Sequence, residues 1–345
     1  MAYDDERALS MEKTVYYPGP TWRTQTHPHD AGWSAEQLQQ AERYAHSIGS
    51  VAVMVISRGA VIAAWGETAH PFNVRSIRKS MLSALYGIHM DAGHIRLSQT
   101  LDELGIDDQD PTLMANEKRA TVADLLTSRS GVYHPSNCQS QAERDRLPPR
   151  GSHAPGTFWH YNNWDFNALD TIFEQCAHAR IFDEFERRIA QPLQMEDFDA
   201  RLGLISGAPH SIHPAHQFRI SARDLARFGV LYLNHGRWGT RQIVPQQWVT
   251  DSTRARARTP DGAGYGYMWW VAVEGDSPLS PQVTLPDGAF AALGVGGQLL
   301  LVIPSRDMVV AHLTNPDEPG YRAVSPHPDQ IARLLNLILA AQGTI

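Results

Sequence analysis

Strand-like segments lie near both ends of the chain and are almost absent between them. Apolar runs at 51–57 and 60–65 flank a tight turn, the pattern of a β-hairpin. Further runs at 298–304 and 308–314 flank a second short turn near the C-terminus. Because hairpin strands pair antiparallel, we predict that both ends of the chain contribute to one antiparallel sheet.

The middle of the chain, roughly 95–250, alternates loops with helix-like periodicity. Helices are predicted at 34–47, 76–92, 121–127, 163–177, 181–190, 221–234, 245–252 and 329–341. The expected fold class is therefore α+β, with an antiparallel sheet flanked by helices and an inserted, mainly helical region. A single composite catalytic domain is expected, with residues 1–32 as an N-terminal arm, 33–80 and 253–345 as the sheet region and 81–252 as the helical region.

Composition limits the partners of such a domain. The chain has 345 residues, 42% of them hydrophobic, which is enough for a large core and rules out disorder as its main state. With 37 acidic and 30 basic side chains the net charge is −7, which argues against nucleic acid. No apolar run is long enough for a membrane span, and the N-terminus lacks a basic, then apolar leader. We expect a soluble, cytoplasmic protein without a membrane partner. The two cysteines lack the spacing of a metal site, and we interpret them as plain thiols.

The sequence Ser76-Ile77-Arg78-Lys79 opens the helix predicted at 76–92. Residues three apart share a helix face, so the Ser76 hydroxyl and the Lys79 amine can meet. A serine hydroxyl needs a neighbouring base to become a nucleophile, and N–H groups at a helix N-terminus can stabilise an oxyanion. Only three residues are lysine, which makes the position of Lys79 informative. The alternative interpretation is an N-cap serine followed by a solvated lysine.

The same spacing occurs at Ser10 and Lys13, in a segment without helical or apolar context, and we interpret that copy as chance.

Two other motifs contain polar groups or glycines where a cleft could form. Tyr161 and Asn163 are two residues apart on a predicted loop and could direct a phenol and an amide into one site. Glycines at 294, 296 and 297 precede an apolar strand, where a backbone N–H could face an oxyanion.

Together these motifs resemble the serine β-lactamase and penicillin-binding-protein superfamily, in particular its class C-like branch of esterases, amidases and 6-aminohexanoate-oligomer hydrolases. The resemblance runs from about residue 33 to 341 and includes the stretches 121–131, 189–195, 221–229 and 265–270. It implies a β-lactamase/transpeptidase-like fold and no cofactor.

The resemblance also implies roles for individual residues. Ser76 would be the acylated nucleophile, Lys79 its base and Tyr161 the shuttle that protonates the leaving group. Asn163 would orient Lys79 and the substrate. The oxyanion hole would consist of the backbone N–H groups of Ser76 and Gln298.

The third motif departs from the family pattern. Where β-lactamases carry Lys-Thr/Ser-Gly, this chain has Val295, Gly296 and Gly297, so the cation that would bind a substrate carboxylate is missing. These three residues and Trp159 are the expected substrate contacts, with Trp269 and Trp270 as further candidates for an acyl pocket. A neutral ester or linear amide is a better expected substrate than a β-lactam.

Several readings stay open. The expected activity is hydrolysis of an ester or amide through an acyl-serine; the alternatives are acyl transfer from the same intermediate, a β-lactamase, or a binding or sensor protein without turnover. His210, His213 and His216 occur at steps of three, but nearby prolines disfavour a helix, and we predict a loop without metal. The sequence leaves the oligomeric state open.

Overall fold

The computed structural model describes residues 17–207, 209–315, 317 and 325–343. Among these residues, eight strands form one antiparallel sheet in the order β2-β1-β14-β13-β12-β11-β10-β9. Its strands are β1 (Ala52–Ser57), β2 (Ala60–Gly66), β9 (Ala257–Arg258), β10 (Gly264–Tyr265), β11 (Trp270–Val271), β12 (Phe290–Gly294), β13 (Gln298–Ile303) and β14 (Met308–Leu313). The N-terminal hairpin joins the C-terminal strands through β1 and β14, where Val55 lies opposite Val310.

Helices lie on both faces of this sheet and fill the middle of the chain. They are α1 (Ala35–Ser47), α2 (Arg78–Asp91), α3 (Val122–Leu126), α4 (Gln141–Arg144), α5 (Asn163–Ala177), α6 (Ile181–Phe185), α7 (Ala222–Leu233), α8 (Gln246–Ser252) and α9 (Pro328–Ala341). Three two-stranded ribbons lie outside the main sheet: β3 (Phe72–Asn73) with β6 (Arg219–Ile220), β4 (Leu204–Ser206) with β5 (Ala215–Gln217), and β7 (Arg237–Trp238) with β8 (Arg241–Gln242).

The alternation of side chains along each strand explains the continuous apolar runs of the sequence. In β13, Leu299 and Leu301 join a cluster with α1 and α9, whereas Leu300 and Val302 join the larger cluster that contains α2, α5 and α7. Both faces of the central strands are thus covered by helices. Because side chains on both faces of these strands are buried, successive strand residues are apolar, and the sequence shows a continuous apolar run in place of alternating apolar and polar residues.

The predicted α+β architecture is confirmed, with sheet strands from both ends of the chain and helices between them. The helix predicted at 76–92 differs in detail, because it begins as a 3₁₀ turn at Arg75–Ile77 before α2. The helix predicted at 181–190 likewise changes from α6 to a π turn at Glu186–Ala190. The sequence did not predict β12 as a strand, because its five residues include two alanines and a glycine.

The arm predicted for residues 1–32 can be compared only from Tyr17 onward. There, the N–H of Gln25 donates to the Val61 carbonyl at the edge of the sheet, and a 3₁₀ turn at Pro28–Ala31 precedes Trp33. The Ser10 and Lys13 pair lies outside the described residues. The region boundaries at 33, 81 and 253 stay predictions. Within the described ranges no helix is long and apolar enough to cross a membrane.

Candidate active site

Ser76 lies in the 3₁₀ turn that joins β3 to α2. The side chain of Asn73 accepts a hydrogen bond from the Arg75 N–H at 3.0 Å, and Arg75 has a positive φ of 54°. The N–H of Ile77 then donates to the Val74 carbonyl. This compact turn leaves Ser76 partly exposed at the N-terminal end of α2, where the positive end of the helix dipole favours negative charge.

Lys79 connects three polar groups of the candidate site. Its Nζ lies 3.0 Å from Oγ of Ser76, 2.6 Å from the phenol oxygen of Tyr161 and 2.8 Å from Oδ1 of Asn163. An ammonium group has three donors, and these three acceptors use all of them. When the amine is neutral, its lone pair can instead accept a proton from one of the two hydroxyl groups. The structure therefore brings together the four residues that the sequence singled out.

The surroundings of Lys79 favour its neutral form. The residue is 2% exposed, and this burial, followed by the nearby charge of Arg78, holds the pKa of Lys79 well below the usual lysine value. Glu143 and Asp170 act in the opposite direction with smaller effect. A buried amine that loses its proton readily is suited to act as a base near neutral pH.

A buried ion pair holds Lys79 beside Asn163. Arg78 donates to Oδ2 of Asp170 at 2.9 Å and to Oδ1 of Asn167 at 2.6 Å, which joins α2 to α5. The two helices are also linked by the Tyr86 hydroxyl, which donates to the carbonyl of Leu169. None of these three contacts was predicted from the sequence, because each pairs residues more than 80 positions apart.

Tyr161 is held by a hydrogen-bonded loop before α5. Oγ of Ser128 donates to the His160 carbonyl and accepts the N–H of Asn162, while the Asn162 amide donates to the Val132 carbonyl. The ring of Tyr161 keeps some exposure, but its hydroxyl lies in the buried cluster, and burial raises its pKa to about 12. The phenol therefore stays protonated and can donate or relay a proton.

The glycine motif forms the turn between β12 and β13, and each glycine has its own steric reason. A Cβ on Gly294 would lie 2.6 Å from the Val74 carbonyl oxygen, so glycine is needed for the end of β12 to approach the turn that holds Ser76. Gly296 and Gly297 have φ values of 86° and 88°. Their carbonyls accept hydrogen bonds from β14 and the residue after it, that of Gly296 from the Thr314 hydroxyl and that of Gly297 from Nδ1 of His312.

The predicted substrate contacts lie at different depths. Val295 is 73% exposed at the tip of the turn, and Gln298, the first residue of β13, lies opposite Gly294 and bonds through its side chain to Thr314. Trp159 is partly exposed and packs against Trp270 at 6.0 Å. Trp269 is wholly buried and packs against Tyr232 and Phe290, which favours a packing role in the core over the acyl-pocket role for which it was one candidate.

Glu143 is a site residue that the sequence analysis missed. One carboxylate oxygen lies 3.4 Å from Nδ2 of Asn163, and the other accepts the N–H of Ser140 at the start of α4. Ser140 and Glu143 have the S-x-x-E spacing of a capping box, which could have located the helix. Nothing in that spacing indicated the contact with Asn163.

The histidines singled out at steps of three have other surroundings. His213 packs on Trp164 and lies 2.9 Å from the hydroxyl of Thr171, while His216 is buried at ion-pair distance, 3.3 Å, from Asp170. In the described part of the chain, no group of three or more histidine, cysteine or acidic side chains could hold a metal ion. Cys138 and Cys176 are free thiols.

Comparison with known proteins supports the fold. The family model for Beta-lactamase matches residues 35–332. The chain is 29% identical over 102 residues to an uncharacterised protein of Alkalihalophilus pseudofirmus, spanning 28% of this chain and only 30% of that curated relative.

Two solved structures illustrate the breadth of the fold. One, provisionally described as a 6-aminohexanoate-dimer hydrolase of Bacillus anthracis, has a TM-score of 0.64 at 17% identity and covers 93% of this chain and 86% of its own. The other, EstCE1, a hydrolase with promiscuous acyltransferase activity, has a TM-score of 0.60 at 16% identity, over 87% and 98% of the two chains. At these identities the likeness concerns the fold.

The family match spans most of the chain, and the fold likeness covers nearly all of it, as the sequence motifs predicted. The chain belongs to the beta-lactamase family and has the fold of its serine hydrolases and penicillin-binding-protein homologues.

Proposed function

We propose that this protein is a serine hydrolase that cleaves a neutral ester or a linear amide through an acyl-serine intermediate. The observation that supports this most is the position of Lys79 Nζ, within hydrogen-bond distance of Ser76, Tyr161 and Asn163. A structural lysine has little reason to be buried between two hydroxyl groups and an amide, since burial of its charge is costly.

The first step is acylation. Neutral Lys79 takes the proton of Ser76 as Oγ attacks the substrate carbonyl, and the tetrahedral oxyanion forms next to the N-terminal end of α2. The proton then passes from Lys79, by way of the Tyr161 phenol, to the leaving oxygen or nitrogen. The bond to the leaving group breaks, and the acyl group stays on Ser76.

Deacylation repeats these transfers with water. Lys79 and Tyr161 accept a proton from the attacking water, and the collapse of the second tetrahedral intermediate returns a proton to Oγ of Ser76. The carboxylic acid product leaves, and the site is restored. In this proposal Asn163 holds Nζ through its Oδ1 atom during both steps.

Two backbone N–H groups complete the proposed oxyanion hole. The N–H of Ser76, which precedes α2, and the N–H of Gln298 are the two donors that the family resemblance implies, and both stay predictions. The turn also offers the N–H of Val295 as a competing donor, because it directly follows Gly294, which packs against Val74 and Arg75. Val295→Pro and Gln298→Pro each remove one of the two competing N–H groups. The variant with the larger fall in kcat identifies the oxyanion donor.

Substrate class follows from the uncharged turn. Val295, Gly296 and Gly297 offer no cation to a substrate carboxylate, and this favours neutral esters and amides over β-lactams. Acyl transfer to an alcohol or amine is the second candidate, favoured by the fold likeness to a hydrolase with promiscuous acyltransferase activity.

The test is a panel of p-nitrophenyl esters, p-nitroanilides and a chromogenic cephalosporin, run on the wild type and on Ser76→Ala. Ser47→Ala is the control, because Ser47 is exposed at the end of α1. We expect ester cleavage that falls by at least about a thousandfold in Ser76→Ala and is unchanged in Ser47→Ala. Product analysis with added alcohol separates hydrolysis from transfer. Cleavage that survives in Ser76→Ala would refute the proposal.

A further inference from the structure

The two carboxylate oxygens of Glu143 have different partners: one caps helix α4, and the other lies near Asn163 of the candidate site. Oε2 accepts the N–H and the hydroxyl of Ser140 at 2.7 and 2.8 Å, which caps the short helix α4. Oε1 is directed toward Asn163, at 3.4 Å from Nδ2. Asn163 in turn accepts from Lys79, so a single amide group separates this carboxylate from the candidate base.

The charges near Lys79 leave Glu143 uncompensated. Arg78 and Asp170 cancel each other as a buried pair 2.9 Å apart. Arg75, next to the candidate nucleophile, is paired with Asp317. Within the described ranges Glu143 forms no ion pair, and its contacts are the uncharged Ser140 and Asn163. Its charge acts on both Lys79 and Tyr161, which places it within electrostatic range of the reacting groups.

Other surfaces of the site favour a cation as well. The turn at Val295–Gly297 carries no positive side chain that would compete with or repel a cation. The partly exposed ring of Trp270 stacks on Tyr161, and the partly exposed ring of Trp159 packs against Trp270; aromatic faces attract ammonium groups. Glu143 itself is partly exposed, so solvent and a charged group of a substrate have access to this residue.

We propose that Glu143 makes the site selective for substrates that carry a positive charge on the acyl chain and disfavours those that carry a carboxylate. This inference rests on the proposed function and adds a substrate class to it. A carboxylate and an ammonium several ångströms apart in a partly solvated cleft attract each other by an amount that corresponds to about five-fold in kcat/KM.

The test uses three p-nitrophenyl esters of equal chain length, ending in trimethylammonium, tert-butyl or carboxylate. The tert-butyl ester has the shape of the trimethylammonium ester without its charge. The rate ratio of each charged ester to the neutral one is measured within each variant. Any effect of a substitution on the basicity of Lys79 cancels in these ratios.

Glu143→Gln is the informative variant, because glutamine also serves in a capping box and keeps α4 in place. Glu103→Gln is the matched control. The carboxylate of Glu103 accepts the N–H of Thr100, and the Glu103 N–H donates to the hydroxyl of Thr100, so Glu103 also belongs to a capping pair. Glu103 is exposed. Both variants change the net charge equally, but only the first removes a carboxylate next to Asn163. Thermal melting of each variant checks that the fold is kept.

We expect the wild type and Glu103→Gln to prefer the trimethylammonium ester over the tert-butyl ester by about five-fold, and Glu143→Gln to lose that preference. The relative rate of the carboxylate ester should rise in Glu143→Gln. Equal ratios in all three proteins, or a wild type without preference for the cation, would overturn the inference.

Alkyl boronic acids that end in the same three groups, trimethylammonium, tert-butyl or carboxylate, test the charge preference separately from the proposed hydrolysis. Boronic acids form a reversible adduct with a reactive serine without turnover, so the ratio of their Kd values reports charge preference even if no ester is hydrolysed. Absent turnover with a charge-dependent Kd ratio contradicts the proposed function alone. Ester turnover that depends on Ser76 but shows no charge preference contradicts the role of Glu143 alone.

Discussion

Arg78 and Asp170 form a buried ion pair, with 2.9 Å between Nη1 and Oδ2 and side chains only 4% and 2% exposed. Arg78 is the residue before Lys79, and Asp170 lies on α5, which begins at Asn163. The pair thus fixes the two helices whose side chains meet at the candidate site. Removal of one partner leaves a buried charge without compensation.

Arg78→Met should therefore lower the free energy of unfolding by about 3 kcal/mol, measured by urea denaturation. Arg201→Met is the matched control, because Arg201 pairs with Asp199 on the surface and its side chain is 89% exposed. We expect a much smaller loss there. Equal losses in the two variants would show that the buried pair has no special role.

Lys79→Met should reduce kcat/KM for a neutral ester by about a thousandfold or more, since the nucleophile loses its base. Lys118→Met should leave activity unchanged, because Lys118 pairs with Asp107 in a different part of the chain. The Lys79 variant should be no less stable at neutral pH. Because burial lowers the pKa of Lys79 in the folded state, this amine destabilises the folded wild type at neutral pH, and the cost disappears only as the pH rises from the lowered pKa to the usual lysine pKa of the unfolded chain. A less stable variant would contradict that account.

The pH profile of kcat/KM should follow the protonation of Lys79. Burial, then Arg78, lowers the pKa of this amine, so activity should rise with pH through a value well below the usual lysine range. Because the pKa of Tyr161 is raised to about 12, no alkaline limb from loss of the phenol proton is expected until the pH approaches that value. In Glu143→Gln the acid limb should move to lower pH, because the carboxylate stabilises the ammonium form. A shift to higher pH would contradict the assignment of that limb to Lys79.

Gly294→Ala should disturb the site through backbone contact. The added Cβ would lie 2.6 Å from the Val74 carbonyl oxygen and 3.1 Å from Cβ of Arg75, so the turn that holds Ser76 must shift. We expect kcat/KM to fall by about tenfold or more, with a stability loss of about 1–3 kcal/mol. Gly19→Ala is the control, because a Cβ there meets no atom within 4 Å. Unchanged kinetics in Gly294→Ala would show that β12 does not position Ser76.

The sequence predicted the local parts of this structure well. The hairpin β1–β2 and helix α5 follow from short-range periodicity and turn residues, and Ser76 and Lys79 meet because they are one helical turn apart. Tyr161 and Asn163 were singled out from their spacing, but only the family resemblance implied their roles, since two-residue spacing on a loop does not specify which way its side chains point.

The parts that the sequence did not predict depend on long-range packing. The approach of Gly294 to Val74 joins segments 220 residues apart, and the contact of Glu143 with Asn163 depends on how the loop before α5 folds back. Trp269 and Trp270 are adjacent and similar in chemistry, but Trp269, which precedes β11, is buried, whereas Trp270, the first residue of β11, is partly exposed. No local pattern distinguishes these outcomes.

The central claim is that Ser76 is a nucleophile only in the folded site, activated by Lys79. Its most direct test is mass mapping of the protein after brief treatment with a fluorophosphonate. We predict a single adduct on the peptide that contains Ser76, formed in the native wild type and lost in Lys79→Met and in urea-unfolded protein. An adduct at another residue, or equal labelling of native, unfolded and Lys79→Met protein, would contradict the account.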